Sequence, residues 1–182
     1  MSLSLLHDIT PGDKAPNEIT VVVEIGKGSK NKYELDKATG LIKLDRVMHT
    51  GQDYPFDYGF IPQTHWHDGD PIDVVLLTTY ALIPGILLTA RPVAIIDMID
   101  GHDSDAKIIA VPTEDPRFKN VKDLDDVNSH TVEEIIHFFE TYKAIQKKSV
   151  TIDGVRGVEE AKKAIVEGMQ AYKDLPKHNK TN

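Results

Sequence analysis

Helical periodicity is confined to the last third of this 182-residue chain, and that narrows its possible folds more than any other feature. From Thr131, apolar residues fall at Val132, Ile135, Ile136, Phe139, Tyr142 and Ile145, the spacing of one helix face. Thr131 and Glu134 match the Thr-x-x-Glu capping pattern. A second amphipathic helix is predicted over about Val158 to Leu175, with Ala161, Ala164, Ile165, Met169 and Tyr172 on one face. What precedes reads as strand. ITVVVEI (19–25) is rich in β-branched residues, and NKYELD and GLIKLD (40–45) flank a turn-like KATG. VVLLTT (74–79) is a short buried run. ILLTARPVAIIDMI (86–99) pairs as a hairpin with AKIIAVP (106–112), and Pro92 implies an edge or bulge partway along. Strands followed by two late helices, with no βαβα rhythm, argue against a doubly wound sheet. The expectation is mainly β: a small barrel with the helices packed outside, as a single domain over residues 1–182.

Composition removes several kinds of chemistry. There is no cysteine, so disulfides, thiolate metal sites and cysteine nucleophiles are excluded. A formal charge of −8 disfavours binding to nucleic-acid backbones and anionic lipid. An anionic substrate then requires metal ions or a local basic cluster to reverse the field. The longest uncharged run, Val74 to Ala90, is broken at Pro84-Gly85 and falls short of the roughly 20 residues a membrane helix needs. The N-terminus has no basic segment or apolar core of the signal-peptide kind. A cytoplasmic protein without membrane or nucleic-acid partners is expected. No G-x-S-x-G, Walker A, G-x-G-x-x-G or H-E-x-x-H pattern occurs.

The chemistry concentrates in acidic clusters. DGDPIDV puts Asp68, Asp70 and Asp73 within six residues, directly before a buried strand. Carboxylates so crowded raise one another's pKa unless cations lie between them. Hard oxygen ligands suit Mg²⁺, Mn²⁺ or Ca²⁺. An EF-hand loop fails on spacing, because counting Asp68 as position one puts Asp73 where glycine is needed and Thr79 where glutamate is needed. A second cluster, DMIDGHDSDAK, contributes Asp100 and Asp105, with Asp105 and Lys107 on one strand face. Lys32 and Glu34 share a face in NKYEL, and Arg46 follows IKLD. Glu24 interrupts an apolar strand, and a carboxylate there needs a partner. YPFDYGFIPQT (54–64) reads as a stiff aromatic loop whose Tyr54 and Tyr58 can donate to phosphate oxygens. Tyr142 continues the helix stripe and reads first as core, with Lys143 solvated beside it. These readings leave open a nucleic-acid-binding OB module, a carboxylate-rich Ca²⁺ module and a broader metal phosphatase acting on nucleotides or esters.

DGDPIDV, with VVVEI, NKYELD, DRVM, YPFDYGFIP, MIDGHDSDAKIIAVP and HFFETYK in that order, resembles the family I soluble inorganic pyrophosphatases of the short bacterial form. The resemblance implies a five-stranded, OB-like barrel with flanking helices. It also implies Mg²⁺-dependent hydrolysis of diphosphate to two phosphates, with Mn²⁺ or other divalent cations as substitutes, in a homohexamer. By the same resemblance, Asp68, Asp73 and Asp105 hold a first metal, and Asp73 also reaches a second. Asp100 and Asp105 take a metal arriving with substrate, and Glu34 a further one. Asp70 is the implied general base. Lys32, Arg46, Tyr58, Tyr142 and Lys143 are the implied phosphate ligands, and Glu24, Tyr54 and Lys107 complete the wall. Asp57 stands where the family has asparagine, an expected addition of negative charge near the phosphate site. Metals bound at the acidic clusters would reconcile a −8 chain with a tetra-anionic substrate.

Overall fold

A computed structural model describes residues 4–101 and 103–176. In chain order its strands are β1 (Ile19–Ile25), β2 (Asn31–Asp36), β3 (Leu41–Val47), β4 (Asp57–Phe60), β5 (Asp73–Leu76), β6 (Leu87–Asp100), β7 (Asp103–Ser104), β8 (Lys107–Pro112) and β9 (Val150–Gly157). The helices are α1 (Ser129–Thr141) and α2 (Val158–Asp174). Five strands close a ring: β1 pairs with β4, β4 with β5, β5 with β8, β8 with β6, and β6 back with β1. The β5–β8 pairing is parallel and the other four are antiparallel. This is the OB-like arrangement expected, with β2 and β3 standing off as a separate two-stranded sheet.

The alternation of side chains along the ring makes two cores. Val21, Val23, Val74, Leu76, Ile95, Ile108 and Ala110 pack with Ala161, Ala164 and Ile165 of α2. On the other side Ile25, Val75, Ile96, Ile109 and Val111 pack with the aromatic rings of Tyr54, Phe56, Tyr58, Phe138, Phe139 and Tyr142. The two helices therefore cover opposite faces. Pro92 falls at a register shift in the β6–β8 pairing, so the bulge expected there is present.

Three local expectations are corrected. YPFDYGFIPQT is not all loop, because Asp57–Phe60 is a fully buried strand between β1 and β5. Helix α1 starts earlier than its capping pattern suggested: Asn128 caps it, accepting from the His130 N–H at 3.0 Å and the Thr131 N–H at 3.4 Å. An asparagine oxygen serves the orphan N–H groups as well as threonine does. The stripe also ends sooner, since the chain leaves the helix at Tyr142 and Ile145 is 64% exposed. Strand β9 was not anticipated; it runs along the far half of β6, from Ala94↔Gly157 to Asp100↔Val150.

Candidate active site

A cavity of about 580 Å³ lies where the beginnings of β5 and β8, the end of β6, the β2–β3 hairpin and the end of α1 converge. Its walls include Glu24, Lys32, Glu34, Tyr54, Tyr58, Asp68, Asp70, Asp73, Asp100, Asp105, Lys107, Tyr142 and Lys143. Of the candidates read from the sequence, only Arg46 is not a lining residue; it stands opposite Lys32 in the hairpin and grips Asp45 at 2.5 Å.

Backbone register explains the convergence. Asp73 opens β5 and Lys107 opens β8, and the parallel pairing sets the two side by side. The buried Lys107 ammonium lies 2.6 Å from Asp73 Oδ2 and also contacts Asp105. Burial alone would lower the Lys107 pKa, but Asp73 and then Asp105 outweigh it and hold the group above its ordinary range. Asp73 moves up: burial disfavours its charge, Lys107 opposes that, and Asp105 adds repulsion. Across the cavity Lys143, just past α1, pairs with Asp100 at the end of β6.

Glu24 reaches the cavity because β1 bulges there. Val23 pairs with Gly59 and Ile25 with Tyr58, so Glu24 is the extra residue and is turned out of the apolar alternation. Its Oε1 accepts from the Leu35 N–H at 2.7 Å. Burial and, next, the charge of Asp73 push its pKa up to about 8, against the pull of that hydrogen bond and Lys32. On β2, Lys32 and Glu34 pair on one strand face. Tyr58 donates to Asp73 and, like Tyr54 and Tyr142, has its pKa raised chiefly by burial. These three phenols are therefore protonated donors at neutral pH. Tyr142 serves both the core and the cavity: its ring stacks on Phe138 at 5.3 Å, and it is 7% exposed.

Asp57 does not add charge to this cavity. It is fully buried elsewhere, accepting from the Lys27 and Leu82 N–H groups at 2.8 Å each and from the Thr78 hydroxyl. A carboxylate accepts from all three donors together, so the departure from asparagine is a structural one.

Sequence reading overlooked Lys37, at the hairpin tip. It lines the cavity and contacts Asp70 at 2.6 Å. A lysine in a turn gives no local sign of a partner so far along the chain. Leu6, from the N-terminal segment, and Phe139, from α1, also line the wall without having been anticipated there.

Among the described residues, no three His, Asp or Glu side chains gather as a group that could hold one ion. The carboxylates are instead drawn onto Lys32, Lys37, Lys107 and Lys143. The acidic side chains that share the cavity with these lysines nevertheless offer hard carboxylate oxygens, the chemistry that divalent cations of the magnesium class take.

A family model described as inorganic pyrophosphatase matches residues 21–173. The inorganic pyrophosphatase of Haloferax volcanii is 46% identical over 173 residues, covering 94% of this chain and 98% of that protein. That of Sulfolobus acidocaldarius is 48% identical over 160 residues, covering 86% and 92%. The crystal structure of inorganic pyrophosphatase from Thermus thermophilus superposes with a TM-score of 0.89 at 44% identity, covering 92% of this chain and 98% of that one.

Proposed function

This chain belongs to the inorganic pyrophosphatase family, and from that premise we propose that it hydrolyses diphosphate to two phosphates with the help of divalent cations. The observation that carries the reading is the single cavity in which Glu34, Asp68, Asp70, Asp73, Asp100 and Asp105 face the same space as Lys32, Lys107 and Lys143. Mixed acidic and basic walls suit a polyanion that is bound together with cations.

The donor set favours Mg²⁺, with Mn²⁺ or another divalent ion as a substitute. Burial is the main cause of the upward shifts of Asp73 and Glu24, with neighbouring acids adding to it, and a cation bound beside them would favour their ionised forms. Asp68, Asp73 and Asp105 would hold one ion, with Asp73 shared with a second. Asp100 and Asp105 would take an ion that enters with substrate, and Glu34 a further one. Bound there, such ions neutralise phosphate oxygens and make a nearby water more acidic.

The chain's own groups do the remaining work. Lys32 and Lys143 donate charge-assisted hydrogen bonds to phosphate oxygens, and Arg46, opposite Lys32 on the hairpin, would join them by turning from Asp45. Tyr58 and Tyr142 donate from the aromatic wall, their phenols kept protonated by burial. Asp70 accepts the proton of the attacking water. Glu24, Tyr54 and Lys107 form the wall behind these groups, and Lys107 fixes Asp73 and Asp105 relative to each other. Holding nucleophile and phosphoryl group in line is the main demand of phosphoryl transfer.

We also propose that the chain works in the cytoplasm as a homohexamer. Exposed apolar side chains such as Leu41, Leu44, Tyr80 and Ile83 offer contact surface, and light scattering on the purified protein measures the assembly. The test of activity is phosphate release from diphosphate with and without Mg²⁺, beside ATP and a phosphomonoester. Fast release from diphosphate alone, dependent on Mg²⁺ and abolished by Asp73→Ala, is the expected result. Comparable turnover of the monoester, or near-normal activity of the variant, overturns the assignment.

A further inference from the structure

Lys37 belongs to none of the roles above, yet its ammonium lies 2.6 Å from Asp70, across a sequence separation of 33 residues. The contact ties the tip of the separate β2–β3 sheet to the loop that leads into β5 of the ring. Both side chains line the cavity on its solvent side, 48% and 61% exposed.

The tip is built to present Lys37. The Asp36 carboxylate accepts from the Thr39 N–H at 2.9 Å and the Thr39 hydroxyl at 3.0 Å. The Gly40 N–H closes the turn onto the Asp36 carbonyl at 2.8 Å. The Asp70 loop is held through its backbone. The Asp70 N–H donates to Asp68 Oδ1 at 3.0 Å, and its carbonyl accepts from the Trp66 N–H at 2.8 Å. Gly69 supplies the left-handed turn, with φ of +92°. These contacts fix where the residue sits but not how its carboxylate points. Among the described residues, Lys37 is the side chain that pairs with that carboxylate.

We propose that Lys37 is a positioning residue for diphosphate hydrolysis, orienting the Asp70 carboxylate over the cavity so that it meets the attacking water. The inference rests on the reading of Asp70 as proton acceptor. An aspartate side chain turns freely about its last bond unless something holds it. An ion pair this exposed adds little to folding stability. Its loss is therefore felt in the rate and not in the melting temperature.

Lys37→Ala, Lys37→Arg, Asp70→Asn and the double variant Lys37→Ala/Asp70→Asn are assayed for Mg²⁺-dependent phosphate release from diphosphate, separating kcat from KM, beside thermal melts. Lys37→Ala is expected to lose about tenfold or more in kcat, as misplaced reacting groups do. Its KM stays within about twofold, the pattern of an interaction made only in the transition state. Lys37→Arg recovers most of the loss. In the Asp70→Asn background Lys37→Ala costs nothing further, because the two act as one unit. A loss carried by KM and persisting in that background makes Lys37 a direct substrate ligand and overturns the proposal. Unchanged kcat, or a loss that follows a lowered melting temperature, overturns it as well. The kcat–KM split and the arginine rescue decide the matter even if Asp70→Asn is too slow to measure. Wild-type protein that fails to release phosphate refutes the functional reading itself, whereas active wild type with an unaffected Lys37→Ala refutes this inference alone.

Discussion

Lys107→Met removes one ammonium from between two acids and keeps most of the side-chain volume. Lys107 Nζ lies 2.6 Å from Asp73 and in contact with Asp105, and its side chain is 4% exposed, so water cannot replace it. Without it one carboxylate must take a proton to avoid facing the other unpaired. From an unfolded pKa of about 3.9, protonation at pH 7.5 costs about 5 kcal/mol, at 1.36 kcal/mol per unit. That agrees with the roughly 3–5 kcal/mol lost when one partner of a buried ion pair is deleted. At about 2–4 °C per kcal/mol for a chain of this size, the melting temperature falls by roughly 6–20 °C. The sign of the pH dependence follows from linkage. The orphaned acid has a raised folded pKa, so its penalty is absent below the unfolded pKa and grows as pH rises towards the folded one. At pH 5.5 the penalty shrinks to about 2 kcal/mol. A divalent cation bound to the same carboxylates supplies the missing charge, and because no ammonium repels it there, it stabilises the variant more than the wild type. The assay is thermal melting of both proteins at pH 5.5 and 7.5, in chelator and in Mg²⁺. The deficit is expected to be largest at pH 7.5 in chelator and to narrow in acid or with Mg²⁺. A deficit indifferent to both pH and Mg²⁺ would refute the electrostatic account and leave a packing defect in its place.

Gly168 on α2 touches the DGDPIDV stretch, since an added Cβ would meet Ile72 Cδ1 at 2.3 Å. Gly168→Ala should destabilise, as roughly 1–3 kcal/mol of overpacking exceeds about 1 kcal/mol of helix propensity. Ile72→Val deletes that atom, so chemical denaturation of the double variant should show strong non-additivity, and additive effects would sink the packing argument. Tyr142→Phe removes one phenol donor and should raise KM by about two- to tenfold, the range of a single hydrogen bond; unchanged kinetics would return Tyr142 to the core alone. Asp123 accepts from the Val158 N–H at 2.8 Å and the Leu124 N–H at 2.8 Å, and these bonds lower its pKa. Its contribution is thus present above the unfolded pKa and lost as pH falls through the folded one. Asp123→Ala should melt below wild type at neutral pH and match it in strong acid.

What was legible in the sequence was whatever a short window contains. DGDPIDV spans one turn and the start of β5, and three crowded aspartates announce a need for cations before any fold is known. The bulge at Pro92 was legible because a missing N–H is a property of the residue itself. Glu24 was visible as an anomaly, but the bulge that aims it into the cavity is a register shift against β4 that no local window contains. Strand β9 escaped notice because VTIDGVRG is only partly buried and carries Asp153 and Gly154; its order comes from β6 alongside. Asn128 was overlooked because Thr131 offered an equally good capping pattern three residues on. Asp57 was misjudged for a related reason: proximity to Tyr58 in sequence says nothing about which side of a strand each faces. Tyr58 turns to Asp73, while Asp57 meets backbone donors from two loops.

That alternation also makes the site and the core a single problem. In the parallel β5–β8 pair, Asp73 and Val75 share a face with Lys107 and Ile109, and Val75 and Ile109 pack into the aromatic core. Val74, Leu76, Ile108 and Ala110 point the other way, into the core under α2. A slip of β5 by one residue would carry Val75 to the wrong core and Asp73 away from Lys107 in the same step. Burial therefore enforces the register that holds the acids in place, and no separate scaffold is needed for the site. It follows that Val75 and Ile109 are under two constraints at once. Trimming either to alanine should cost activity beyond the fraction of protein unfolded, because the backbone that relaxes into the gap is the one that carries Asp73 and Lys107.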